Sequence, residues 1–176
     1  MAEMSIDISE VPELIADLMK MIREGDYSAF KTKVEFYNLG KDVLNKTIND
    51  KCTLLMCASY HKHLEIVQLL LERDCDVNFK SNPNWTALMF AAHAGSVEVL
   101  KLLLEKGAQI NDVNSLGSTA LILATSRGHK DVVEILLNEG ADTDVVNFAG
   151  CNALKYAEKK RFKEIASLIL KCKPNS

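Results

Sequence analysis

The stretch TALMFAAHAGSVEVLKLLLEKG, residues 86–107, recurs as TALILATSRGHKDVVEILLNEG at residues 119–140. In both halves of each stretch apolar residues lie three and four positions apart, which is the spacing of one face of an α-helix. Thr86 stands where the first turn of a helix needs an N-cap oxygen, and Gly95 and Gly107 stand where left-handed backbone ends a helix. The stretch therefore predicts two short helices joined by a tight turn.

Both stretches belong to a period of 33 residues that extends along the chain. The predicted N-caps are Thr53, Thr86, Thr119 and Asn152. Leucine follows two positions later and alanine three positions beyond it in every copy, and so many columns in register indicate true repeats. In the earlier copy Asp74 replaces the glycine that ends the second helix. Because aspartate tolerates positive φ less well than glycine, we expect that turn to be strained by about 1 kcal/mol.

This pattern resembles the ankyrin repeat. The family signature is a 33-residue period, Thr-Pro-Leu-His-x-Ala at the start of an inner helix, glycine between the helices and asparagine after the second helix. The matching residues are Thr86, Leu88, Ala91, Gly95 and Asn111 in one copy, and Thr119, Leu121, Ala124 and Gly128 in the next. The resemblance implies an all-α ankyrin-repeat solenoid of helix-turn-helix units joined by β-hairpin-like loops, with about five repeats including two caps.

Two columns depart from the family signature. The motif proline is replaced by Leu54, Ala87, Ala120 and Ala153, and the motif histidine by Met56, Met89, Ile122 and Lys155. In the family that histidine forms hydrogen bonds that tether neighbouring turns. We therefore expect methionine and isoleucine to stabilise the stack by packing instead.

The repeat register divides the chain into seven segments. They are a tail at 1–9, an N-terminal capping repeat (repeat 1) at 10–46, repeats 2, 3 and 4 at 47–79, 80–112 and 113–145, a C-terminal capping repeat (repeat 5) at 146–171 and a tail at 172–176. The first cap has four residues more than the period, which we expect in FYNLGKDV at 36–43. The inner helix of the last cap is polar, and we expect Leu168, Ile169 and Leu170 to face the neighbouring repeat.

Composition restricts the classes of partner. A net charge of −3 opposes binding to a phosphate backbone, so no nucleic acid is expected. No apolar run reaches the roughly 20 residues that cross a bilayer, and the N-terminus does not resemble a secretion signal. Five cysteines are an odd number for a disulfide framework. We expect free thiols and a cytoplasmic or nuclear protein that is monomeric on its own.

Metal binding and catalysis are not expected. His61 and His63 lie near Cys52 and Cys57, which raises a zinc hypothesis. The register places Cys57 in the same apolar column as Phe90, however, so the sequence favours a packed thiol. No serine, cysteine or aspartate stands outside its repeat role with a base positioned beside it. The sequence therefore predicts no catalytic residue, no metal ligand and no cofactor.

The resemblance also implies where partners bind. In the family, hairpin tips and the exposed side of the inner helices line a concave groove. The corresponding candidate partner-binding residues are Tyr60, His61, Lys80, Asn82, Trp85, His93, Val113, Ser115, Leu116, Arg127, Val146, Phe148, Lys159 and Lys160.

Five of these candidates would form an apolar and aromatic strip across the groove: Tyr60, Trp85, Leu116, Val146 and Phe148. Trp85 is the only tryptophan, and this residue type often dominates interface energetics. The competing interpretation is that Trp85 and Phe148 fold back onto neighbouring hairpins.

Charge is uneven along the chain. Residues 1–26 contain seven acidic residues and two basic ones, and residues 155–173 contain seven basic residues and two acidic ones. The favoured interpretation is a pair of solvated capping faces. The sharper interpretation is that Arg127, Lys159 and Lys160 receive an acidic segment of a partner.

The resemblance therefore implies a protein–protein interaction module, acting as an adaptor or as an inhibitory or regulatory subunit. The alternative is an ankyrin-repeat portion of a larger signalling or enzyme chain. The context of Asn78 and Asn111 also resembles that of asparagines hydroxylated in some ankyrin repeats.

Overall fold

The computed structural model describes residues 10–47 and 52–172, and within these ranges the chain forms eleven helices. They are α1 Val11–Glu24, α2 Tyr27–Phe36, α3 Lys41–Leu44, α4 Leu54–His61, α5 Leu64–Glu72, α6 Ala87–Ala94, α7 Val97–Glu105, α8 Ala120–Arg127, α9 Lys130–Asn138, α10 Ala153–Lys160 and α11 Lys163–Cys172. The predicted N-terminal tail and all but Cys172 of the C-terminal tail lie outside the described residues.

The helices form two layers. Helices α1, α4, α6, α8 and α10 contact one another in that order as an inner layer, and α2, α5, α7, α9 and α11 form an outer layer behind it. Each outer helix is amphipathic; α7, for example, buries Val99, Leu100 and Leu103 against the inner layer. The prediction of an all-α solenoid of repeated helix pairs is confirmed.

The predicted caps begin and end the inner helices. The side-chain oxygens of Thr53, Thr86 and Thr119 accept a hydrogen bond from the amide three residues later at 3.3 Å, and Asn152 does so at 2.9 Å. At the other end Gly95 adopts a left-handed backbone with φ of 74°. The cap residues therefore set the length of α4, α6, α8 and α10 at eight residues each.

The histidine column is filled by packing, as expected. Met56, Met89 and Ile122 are almost completely buried. Lys155, in the last repeat, instead extends to the preceding hairpin and donates to the Gly150 carbonyl at 2.7 Å.

One set of hydrogen bonds between repeats comes from asparagines in the loops after the outer helices. Each accepts from a backbone N–H one repeat further on: Asn45 from Asp76 at 3.1 Å, Asn78 from Gln109 at 2.8 Å and Asn111 from Asp142 at 2.9 Å. Asn78 also donates to the Gly107 carbonyl at 3.1 Å. This ladder of asparagines therefore links successive repeats through hydrogen bonds.

Of the four extra residues of the first repeat, one lengthens α2 and three lie between α2 and Asn45. Helix α2 has ten residues, whereas α5, α7 and α9 have nine each. The short helix α3 then occupies the loop, and Asn45 returns the chain to the register by bonding to Asp76.

The last repeat differs from expectation at one residue. Ile165 and Ile169 are four positions apart on α11, and both are buried against the stack. Leu168 is half-buried, but Leu170 is 55% exposed. The expectation that Leu170 faces the neighbouring repeat is therefore wrong, because one helix face cannot hold three consecutive residues.

Successive repeats also fit together through the turn between inner and outer helices. A ring from the next repeat lies over the glycine that ends the inner helix; the pairs are Gly25 with His63, Gly95 with His129, and Gly128 with Phe162. At the remaining junction the turn residue is Lys62, with φ of 65°, and the residue at the ring position is the small Ser96. Large rings therefore occur only opposite a residue without a Cβ.

Replacing Asp74 by glycine should raise the free energy of unfolding by about 1 kcal/mol. Asp74 has a left-handed backbone with φ of 58°, and Gly107, its equivalent one repeat later, has φ of 84°. Urea denaturation would measure the change. The reciprocal substitution, Gly107→Asp, should lower the free energy of unfolding by a similar amount. Changes of the same sign in the two variants would contradict the explanation.

Candidate functional site

Among the described residues three hairpins project from the inner layer, each closed by a backbone bond between its first and fifth residues. The amide of the first residue donates to the carbonyl four residues later: Ser81 to Trp85 at 3.0 Å, Asn114 to Ser118 at 3.1 Å and Asn147 to Cys151 at 3.0 Å. The side chain of the same first residue accepts from backbone amides inside its hairpin, as Ser81 does from Trp85 at 3.1 Å. The hairpins are therefore held rigidly by their own polar atoms.

Neighbouring hairpins are joined at their tips. The Ser115 amide donates to the Pro83 carbonyl at 3.1 Å, and the Phe148 amide donates to the Leu116 carbonyl at 3.0 Å. These bonds hold the tip side chains in solvent, with Phe148 83% exposed and Leu116 62% exposed. Val113 and Val146, at the start of two hairpins, are also exposed.

We call the surface formed by these hairpins and the exposed side of the inner helices the groove face. At repeats 2 and 3 it has an aromatic cluster. The Tyr60 ring stacks on His93 with centroids 6.1 Å apart, and Trp85 lies 4.9 Å from Phe90 and 5.7 Å from His93. Tyr60 remains 45% exposed. Trp85 is half-buried against its own inner helix, whereas Phe148 is open to solvent.

His93 connects this cluster to the next repeat. The Arg127 Nε–H donates to His93 Nε2 at 3.0 Å, and His129 Nε2 donates to the His93 carbonyl at 3.1 Å. Burial, the Arg127 guanidinium and His129 together lower the pKa of His93 below its usual value. The hydrogen bond from Arg127 requires a neutral His93 imidazole, because a protonated ring has no lone pair to accept from arginine.

We expect the protein to lose stability as the pH falls below about 6.5, the ordinary pKa of histidine. The folded-state pKa of His93 is lower than its unfolded value, so the unfolded chain takes up the proton first and is favoured at acid pH. Urea denaturation at about pH 7.5 and about pH 5.5 would test this. His93→Gln should lose part of the pH dependence, and an unchanged dependence would contradict the role of His93.

At repeats 4 and 5 the groove face contains a cavity of about 220 Å³, which we call the apolar hollow. Leu116 and Phe148 lie on the hairpin side, and Ile122, Leu123 and Tyr156 lie on the side of helices α8 and α10. Hairpins and inner helices from two repeats therefore line one shared recess. Sequence reasoning missed Leu123 and Tyr156 because their column, shared with Phe90, was assigned to the packed interior.

The other candidate residues have varied surroundings. Lys80 forms an ion pair at 2.7 Å with Asp112, at the other end of the repeat at 80–112. Lys159 Nζ lies 3.1 Å from the Cys151 sulfur, while Lys160 is exposed on the same turn. Of the remaining candidates, His61 is half-buried, and Asn82 and Ser115 are exposed.

The cysteines and histidines near position 57 do not form a metal site. Burial raises the pKa of Cys52 to about 12, and burial also raises the pKa of Cys57, so both thiols stay protonated at neutral pH. The rings of His61 and His63 are stacked with centroids 6.2 Å apart. In residues 10–47 and 52–172 no group of three or more potential ligands is placed to hold a metal ion.

Comparison with known families agrees with this geometry. The family model for ankyrin repeats (3 copies) matches residues 18–114 and 111–176. The chain therefore belongs to the ankyrin-repeat family, which consists mainly of protein-interaction modules. No match was found among curated proteins. Of the helices in the described parts of the chain, none is long and apolar enough to span a membrane.

Proposed function

We propose that this protein binds an extended segment of a partner protein along the groove face, without catalysis, as an adaptor or as an inhibitory or regulatory subunit. The observation that carries the proposal is the row of exposed apolar side chains on consecutive hairpins, from Val113 and Leu116 to Val146 and Phe148. Single exposed apolar residues are ordinary on protein surfaces, but a contiguous row is typical of an interaction site.

The rigidity of the hairpins supports the same function. Binding costs free energy for every side chain and loop that must be ordered, so a surface already fixed by hydrogen bonds binds more tightly for a given area. Asn114 and Asn147 fix two of these hairpins internally, and the bond from Phe148 to Leu116 fixes them to each other. The groove face is thus ordered before a partner arrives.

The proposal includes the cellular compartment and the oligomeric state of the protein. All five cysteines, including Cys75 in the core and exposed Cys172, are free thiols. Free thiols are typical of the cytoplasm and nucleus, where disulfides are kept reduced. We propose that the protein acts there, as a monomer before it meets its partner.

Site-specific photocrosslinking in cell extract would test the binding surface. A photoreactive phenylalanine analogue placed at Tyr60, Leu116 or Phe148 should crosslink the same set of proteins. The matched control position is Phe36, which is 64% exposed but lies at the end of outer helix α2. Equal crosslinking of the same proteins from Phe36 would place the binding surface on the outer layer and overturn the proposal.

A further inference from the structure

The size of the apolar hollow limits what it can hold. Its volume is about 220 Å³, below the roughly 300–1,000 Å³ of sites for small molecules and cofactors. Leu116 and Phe148 form part of its wall, and their side chains are the two most exposed apolar groups among the described residues of the groove face. This volume suits one large side chain.

The polar atoms of the lining are already engaged with one another. Asn147 Nδ2 donates to Ser118 Oγ at 3.1 Å and to the Tyr156 hydroxyl at 3.2 Å. Ser126 Oγ donates to the Leu123 carbonyl at 2.8 Å. An occupant gains little by hydrogen bonding here, and a polar one would lose its water without compensation. The hollow therefore favours an apolar side chain.

The surface around the hollow is basic, although the chain as a whole is acidic. The two hairpins and inner helices that form this end of the groove face, residues 113–128 and 146–161, contain five basic residues and one acidic residue. Lys159 and Lys160 come three and four residues after Tyr156 on α10, so all three share one helix face. A segment whose apolar side chain contacts Tyr156 would pass within reach of both ammonium groups.

We propose that the apolar hollow binds a single leucine, methionine or phenylalanine side chain of an acidic partner segment, whose carboxylates contact Lys159, Lys160 and Arg127. This inference rests on the proposed function and names the chemistry of the segment. The apolar residue supplies most of the binding free energy, since buried anchors dominate interfaces. The acidic residues speed association and fix the direction of the segment.

Selection from a random library of peptides displayed on phage, followed by binding measurements with the selected peptides in synthetic form, tests the proposal. The expected peptides carry net negative charge and one large apolar residue. Phe148→Ser should weaken their binding about tenfold or more. Lys159→Glu combined with Lys160→Glu should weaken it, and added salt should then lower the affinity less or even raise it, because attraction at these two positions becomes repulsion. Because Phe148, Lys159 and Lys160 are exposed, the thermal unfolding of the variants should stay unchanged.

Matched controls separate this proposal from the more general one. Phe36→Ser removes another exposed phenylalanine, 64% exposed, from the outer layer, and Lys101→Glu with Lys106→Glu makes the same charge change on exposed positions of the outer layer. Both variants should bind as the wild type does.

Four results would overturn the proposal. Selected peptides that lack acidic residues, or that bind independently of Phe148, would refute it and leave groove binding as such intact. A library that yields no binding peptide would refute recognition of a linear segment, while photocrosslinking would still report on the groove face. Finally, if sedimentation shows a dimer that an acidic peptide dissociates, the occupant is a second copy of this chain.

Discussion

Replacing Gly95 by alanine is expected to lower the free energy of unfolding by about 3 kcal/mol. Two costs combine. Gly95 has φ of 74°, which disfavours any residue with a Cβ by about 1–2 kcal/mol. The added carbon would also lie 2.6 Å from His129 Nδ1 and 2.7 Å from Cε1, so the ring must move and its bond to the His93 carbonyl is lost.

Gly107→Ala separates these two costs. Gly107 has φ of 84°, and no described atom lies within 4 Å of the carbon that alanine would add. Its substitution should therefore cost only the backbone term, about 1–2 kcal/mol. His129→Ser should rescue part of the Gly95→Ala defect, since serine already stands at the ring position in Ser96. Chemical denaturation of the double variant measures this coupling; strictly additive effects would show that the ring contact is unimportant.

Replacing Asn147 by alanine is expected to cost about 2–4 kcal/mol and to loosen the last hairpin. The side-chain carbonyl of Asn147 accepts from the Ala149 and Cys151 amides, both at 3.1 Å. Its amide nitrogen donates to Ser118 and Tyr156. Alanine leaves these partners without their bonds in a largely buried site. Each polar group left unpaired costs about 1–3 kcal/mol, and hydrogen bonds to water reduce that cost where water can reach the group.

Asn114→Ala is the matched comparison one repeat earlier. Asn114 accepts from the Leu116 and Ser118 amides at 2.9 and 3.0 Å, but its own amide nitrogen has no hydrogen-bond partner among the described residues. We therefore expect a smaller loss, about 1–2 kcal/mol. Urea denaturation measures stability, and hydrogen exchange of the Cys151 amide reports on the hairpin. Equal losses in the two variants would rule out a special role for the Asn147 amide group.

The fold could be predicted because its signals are local and repeated. Thr86 caps its helix by accepting a hydrogen bond from the amide three residues later, and Gly95 ends the same helix through its own left-handed φ. Such relations depend on neighbours in the sequence, so a 33-residue period shows them several times. The burial of Met56 and Ile122 could be predicted for the same reason, from their column.

The candidate site could be predicted only in outline. Lys80 was placed on the groove by its column, but its ion-pair partner Asp112 lies 32 residues further along the chain, and a single column does not reveal that pairing. Trp85 is half-buried because the rings of Phe90 and His93 meet it. The apolar hollow could not be predicted from single columns of the repeat, because its walls come from two hairpins and two helices that meet only in the folded structure.

The fit of rings over glycines restricts how this array could gain or lose units during evolution. Deletion of residues 80–112 would bring His129 over Lys62, which has the Cβ that this position excludes. Deletion of 113–145 would instead bring Phe162 over Gly95, which leaves room for a ring. Repeats that look alike in sequence are therefore not interchangeable, and the order in which they follow one another is itself an inherited trait of the chain.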